Sequence, residues 1–177
     1  MAIFIFSSFK YHFRFNESKK FMELVDADLS LSVDAKQLDK RLTGLRWITP
    51  EYNEDPQNEI ELLKNVKKIL YEKKERKIFI TDYQFFSSLF KNEFASPNKW
   101  YDNLSIPDKK NKYYDDHKIF FLEKIRNDKI QYLYFIGKNK HEMSFFKELS
   151  SKNNCIVSKR LHKLLVEFNI NNCKLLY

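Results

Sequence analysis

Short β-rich runs alternate with segments of helical periodicity along this chain, and that alternation constrains its fold most. Apolar residues recur at three- and four-residue spacing across residues 57–74, with charged residues such as Glu59 on the opposite face, which predicts a helix with an exposed charged side. Residues 77–82 and 130–136 predict strands, and residues 113–127 predict a second long helix. Strands alternating with helices at this spacing predict βαβ units. We therefore expect an α/β fold, a small three-layer sandwich with a mostly parallel, Rossmann-like sheet.

Composition changes at Gly44, which could end a preceding helix in the C′ position. A chain of 177 residues fits one domain better than two. We expect residues 1–43 to form an N-terminal stub with short helices that pack on an α/β domain of residues 44–177. The shorter segments predict helices at 16–24, 32–42, 85–90, 143–149 and 160–168, and strands at 45–49 and 155–158.

The chain begins with an apolar stretch, residues 1–9. It is too short to span a bilayer, which needs about 20 apolar residues. Two interpretations stay open: a short buried strand, or the tail end of a membrane helix whose beginning lies outside this chain.

The net charge of +8 is compatible with an anionic partner. Arg, the residue that forks onto phosphates and base edges, is scarce in this Lys-rich chain. This argues against nucleic acid as a partner, although a basic nucleic-acid-binding module remains a further alternative.

Motifs for cofactor and metal chemistry are missing from the sequence. There is no G-x-G-x-x-G, Walker A or G-x-S-x-G motif, and the His and Cys residues lack zinc-ligand spacing. We therefore predict no cofactor, no metal and no catalytic residue.

Ligands of open α/β sheets bind outside the carboxyl ends of the strands. The strand ends predicted here supply Thr49, Asp82, Tyr83 and Gln84 as candidate ligand-binding residues. Asp82 could act as a base or accept a hydrogen bond from a sugar hydroxyl. Its more common structural role would be to cap the following helix.

A long loop, residues 92–112, is expected to overhang the same edge. Its candidate ligand-binding residues are Asn98, Trp100 and Tyr101. The aromatic rings could form a platform for a sugar, or they could pin the loop onto the core.

Cys155 and Cys173 bracket the final segment of the chain. In a reducing cytosol they would be small buried apolar residues, whereas in an oxidising compartment they could form a disulfide. The residues alone leave both alternatives open.

Four segments together resemble a known group of proteins: Lys10-Tyr-His-Phe-Arg-Phe-Asn-Glu17, Leu45-Arg-Trp-Ile-Thr-Pro50, Ile80-Thr-Asp-Tyr-Gln-Phe85 and Ser96-Pro-Asn98. They resemble the C-terminal soluble part of polytopic membrane proteins of marine alphaproteobacteria. Those proteins are similar to glycosyltransferases that use lipid-linked sugars, the dolichyl-phosphate-mannose mannosyltransferase-like class.

The resemblance implies a membrane-associated, extracytoplasmic (periplasmic) location, in which a Cys155–Cys173 disulfide is plausible. The apolar start would be the stub of the last membrane helix. The implied partners are a membrane-embedded glycosyltransferase portion or a lipid-linked glycan. The catalytic carboxylate of such enzymes lies between membrane helices, a part that this chain lacks.

The leading functional prediction is therefore a non-catalytic accessory domain of a glycosyltransferase-like membrane protein, in contact with a glycan or acceptor. The alternative is a small stand-alone enzyme that acts on a sugar or nucleotide, with Asp82 and Tyr83 in its site. The sequence by itself also allows a cytoplasmic location.

Overall fold

The computed structural model describes residues 2–13, 24–83, 85–90, 96, 98, 101, 106–107, 109–137 and 155–173. The chain divides into two compact units, residues 1–61 and 62–177. The boundary falls inside a helix, whereas the change in composition predicted one near Gly44.

The first unit contains helix α1 (Ala2–His12) and a two-stranded antiparallel sheet of β1 (Val33–Asp34) and β2 (Arg46–Trp47). The segment predicted as a helix at 32–42 is not one: it contains β1 and two short 3-10 turns. The reason is local, because the side chains of Asp34 and Asp39 each accept the backbone N–H two residues later and so start a new turn. Gly44, at φ +88°, follows the last of these turns.

The apolar start of the chain belongs to α1 and is not a buried strand. Its large side chains are exposed. None of the helices in the described ranges has the length and apolar character that crossing a membrane requires.

Helix α2 (Pro56–Tyr71) confirms the clearest helical pattern of the sequence. Pro56 occupies the first helical position, where its missing N–H costs no hydrogen bond. Asp55 accepts the N–H of Asn58 at 3.1 Å and so caps the first turn. The predicted apolar side of the helix is buried at Ile60, Leu63, Val66 and Leu70.

The second unit is built on a four-stranded sheet in the order β3-β4-β6-β5. Its strands are β3 (Lys77–Thr81), β4 (Tyr132–Ile136), β5 (Val157–His162) and β6 (Leu165–Asn169). Strands β3 and β4 are parallel, while β4–β6 and β5–β6 are antiparallel. The α/β class is thus confirmed. The sheet is mixed, however, and its described pairings do not show a mostly parallel, Rossmann-like arrangement.

The helix predicted at 160–168 is wrong, because these residues form β5, a tight turn and β6. Leu161, Leu164, Leu165 and Phe168 have helical spacing. Residues Leu165–Asn169 nevertheless pair with β4 along its whole length. This pairing gives hydrogen-bond partners to buried backbone N–H and C=O groups of β4 that would otherwise lack them. Long-range pairing therefore overrides the local pattern.

Helices α3 (Phe85–Leu89) and α4 (Tyr114–Asn127) confirm two further predicted helices. Phe121 and Ile125 of α4 belong to the hydrophobic core on one face of the sheet, together with Ile78, Ile80, Leu133, Phe135 and Phe168. On the other face the ring of Phe90, just after α3, lies 5.4 Å from that of Phe79. Strand β4 lies inside the sheet, between β3 and β6. The helices predicted at 16–24 and 143–149 lie mainly or wholly outside the described residues.

Candidate functional site

The carboxyl end of β3 is joined to that of β4 through one buried hydroxyl. Thr81 Oγ1 donates to the carbonyl oxygen of Ile136 at 2.8 Å and accepts the N–H of Tyr83 at 3.0 Å. Thr81 therefore holds the two parallel strands together and turns the chain outward. Asp82, the next residue, is exposed, and Tyr83 is half-buried.

Gly137 completes this edge. It ends β4 at φ +138°, and its N–H donates to the carbonyl of Leu164 in the β5–β6 turn at 3.0 Å. A Cβ on Gly137 would lie 3.9 Å from Cε2 of Tyr83, so the tyrosine ring lies beside it. The structure thus brings Asp82, Tyr83 and Gly137 to one edge, where a carboxylate and an aromatic ring could bind a hydroxyl-rich ligand. Gln84 lies outside the described residues.

Thr49 belongs to the first unit, where its side chain forms a hydrogen bond within the fold. Its hydroxyl donates to Oε2 of Glu59 at 2.8 Å, and Trp47 Nε1 donates to the same oxygen at 2.7 Å. The prediction that Thr49 ends a strand of the main sheet is wrong, because β2 pairs with β1 in a separate sheet. Glu59 is fully buried and not on an exposed face as its position in the pattern predicted.

The described part of the 92–112 loop is tied to the core of the second unit. His117 Nε2 on α4 donates to Asn98 Oδ1 at 2.9 Å, and burial lowers the pKa of this histidine. Tyr101 is buried in the core, and its hydroxyl is hydrogen-bonded to that of Ser96. Tyr101 therefore presents no ring to a ligand, and Asn98 serves to hold the loop. Trp100 lies outside the described residues.

One polar cluster in the second unit was missed by sequence reasoning. Lys73 Nζ and Tyr134 Oη both donate to Oε2 of Glu167, at 2.7 Å and 2.8 Å. The carboxylate raises the pKa of Lys73. Burial, and to a smaller extent the hydrogen bond to Glu167, raises the pKa of Tyr134 far above its usual range. The hydroxyl therefore stays protonated. Lys73 and Glu167 are 94 residues apart, and no local pattern could have paired them.

Cys155 and Cys173 form a disulfide with a Cα–Cα distance of 5.0 Å. Cys155 precedes β5 and Cys173 follows β6, so the bond closes the base of this strand pair. Cys173 is buried in the core on the α4 face of the sheet. Within the described ranges, no group of three or more His, Cys, Asp or Glu residues could hold a metal ion.

Comparison with known proteins identifies no relative of this chain. No protein-family model matches it, and neither a curated protein nor a solved structure gives a significant match.

Proposed function

We propose that this chain is a non-catalytic accessory domain that works outside the cytoplasm, beside a glycosyltransferase-like membrane protein. The observation that carries this proposal is the Cys155–Cys173 disulfide. Disulfides persist in oxidising compartments such as the periplasm and are rare in the cytosol. The glycosyltransferase-like partner is proposed from the resemblance of four segments given above.

The non-catalytic role is supported by how the candidate side chains are used. Thr49 is bonded to Glu59, Asn98 is bonded to His117, and Tyr101 lies in the core. These groups contribute to folding. The exposed Asp82 and the half-buried Tyr83 are the contact that we propose for a glycan or acceptor.

We also propose that the second unit is a small three-layer sandwich. Core contacts of α4 on one face of the sheet, and of Phe90 on the other, support this arrangement. A Rossmann-like character is proposed only for the crossover between the parallel strands β3 and β4.

Thiol labelling in the native host tests the proposed location. Maleimide-polyethylene glycol added to the denatured protein should leave it unshifted before reduction and should add two labels after reduction. External protease should digest the protein in spheroplasts. Two reactive thiols without reduction, together with protection from the protease, would contradict the proposal.

A stand-alone enzyme is the second candidate, favoured by the exposed carboxylate of Asp82 beside Tyr83 at a strand end. Asp82→Asn would then abolish hydrolysis of a sugar nucleotide such as GDP-mannose and leave the melting temperature unchanged. Asp116→Asn, which alters an exposed aspartate in the first turn of α4, is the matched control. If Asp82→Asn changes only the melting temperature, Asp82 has a structural role.

A further inference from the structure

Helix α1 exposes large apolar side chains around its whole circumference. Ile3 and Phe4 are each 80% exposed, Ile5 is 55% exposed and Phe6 is 71% exposed. Successive residues of an α-helix are rotated by about 100°, so these four side chains point in all directions around the axis. Exposed apolar surface of this kind marks a site of protein or membrane contact.

Polarity in α1 changes along the axis and not around it. Residues 2–6 are all apolar, residues 7–9 (Ser-Ser-Phe) are mixed, and the last turn carries Lys10, Tyr11 and His12, all exposed. Ile3 and Lys10 are separated by roughly 10 Å along the axis at about 1.5 Å per residue. That length fits within one leaflet of a bilayer, whose whole hydrocarbon core is about 30 Å thick.

The distribution of apolar side chains around α1 distinguishes between the partners that could contact this helix. A protein groove, or a second copy of the helix, contacts one apolar face and leaves a polar face in water. The first turn and a half of α1 has no polar face to leave in water. The acyl chains of a bilayer surround a helix on every side, while Tyr and Lys are favoured at the interface with the headgroups.

We propose that α1 inserts its apolar first half into a bilayer that contains anionic lipid, with Lys10 and Tyr11 at the headgroups. The positive end of the segment and the net charge of +8 are complementary to an anionic surface. This inference deepens the proposed function and rests on its membrane association, for which it names the segment and the lipid chemistry.

Vesicle flotation of the full chain tests the proposal. The protein should float with phosphatidylcholine vesicles that contain phosphatidylglycerol and should float less with phosphatidylcholine alone. Phe4→Asp should remove most of the flotation. Phe120→Asp, the same change at a 51% exposed site on α4, should float like the unaltered protein.

The role of the Lys10 charge and the depth to which α1 inserts are tested separately. Lys10→Gln should weaken flotation only with the anionic vesicles, whereas Lys68→Gln, at an exposed position of α2, should leave it unchanged. Brominated acyl chains should quench the fluorescence added by Phe6→Trp more strongly than the fluorescence added by His12→Trp. Equal quenching at the two positions would overturn insertion along the helix axis.

Other outcomes overturn the lipid contact itself. The protein could stay at the bottom of the gradient with both kinds of vesicle, or Phe4→Asp could float as well as Phe120→Asp. A lipid-free dimer that Phe4→Asp dissociates, without flotation, would assign α1 to self-association. Free thiols in the native host would contradict the extracytoplasmic location and leave flotation unaffected, so failure of the proposed location can be distinguished from failure of the lipid contact.

Discussion

Burial disfavours the charged form of His117. Its Nε2 donates to Asn98 Oδ1, and burial holds its pKa below the ordinary value of 6.5. The unfolded chain therefore binds a proton at this side chain more readily than the folded protein does. The contribution of His117 to the free energy of unfolding is therefore fully present above pH 6.5. It is lost as the pH falls through the lower pKa that His117 has in the folded protein.

Acidification from about pH 7.5 to about pH 5.5 should therefore lower the melting temperature, and His117→Gln should reduce that loss. Burial also lowers the pKa of His162, so His162→Gln should act in the same direction. His12→Gln, in the exposed part of α1, is the control. Thermal unfolding followed by circular dichroism gives the measurement. An unchanged pH dependence in His117→Gln would contradict this explanation.

At the scale of elements, the carboxylate of Glu167 joins three parts of the second unit. Glu167 lies on β6 opposite Tyr134 of β4, and it also binds Lys73 in the connection between α2 and β3. Removal of one partner from a buried ion pair lowers the free energy of unfolding more than removal of one partner from a surface pair. The reason is that the remaining buried charge then has no opposite charge beside it. Lys73 is 26% exposed at its side chain, which moderates that cost.

Glu167→Gln should lower the free energy of unfolding by about 1–3 kcal/mol. Lys124→Gln, which removes the partly exposed i,i+4 pair of Lys124 and Asp128 at the C-terminal end of α4, should cost no more than about 0.5 kcal/mol. Urea unfolding of the two variants gives the comparison. Equal costs would show that Glu167 contributes no more than a single i,i+4 ion pair of a helix.

Element types were predictable where the determining interactions are local. The periodicity of α2, α4, β3 and β4 is contained within each segment, and all four elements form as predicted. The strand end at Asp82 and Tyr83 followed from β3 in the same way. Thr49 was misplaced because no local feature tells whether a strand pairs with β1 or with the main sheet.

At the scale of the whole molecule, the Cys155–Cys173 disulfide is a covalent constraint on the unfolded chain. It links cysteines 18 residues apart and encloses β5 and β6. A closed loop of this length restricts the unfolded chain and stabilises the fold by about 3 kcal/mol in the chain-entropy model. The effect belongs to the second unit, where both cysteines lie.

Reduction should therefore lower the free energy of unfolding by about 3 kcal/mol. The double variant Cys155→Ala/Cys173→Ala should show a similar loss without reductant and no further loss with it. Urea unfolding with and without dithiothreitol measures both. A reductant effect of equal size in the double variant would assign the loss to another cause.

The sequence by itself determined the α/β class, the two long helices and the parallel strand pair, because periodicity, caps and strand-ending residues act within a few positions. Tertiary structure decided the rest. The β5–β6 strand pair replaced a helical pattern because β4 requires a partner strand along its length. Glu59 became buried through bonds to Trp47 and Thr49, and Glu167 acquired a lysine 94 residues away. Such pairings depend on which surfaces meet in the folded chain, and this information is absent from any single segment.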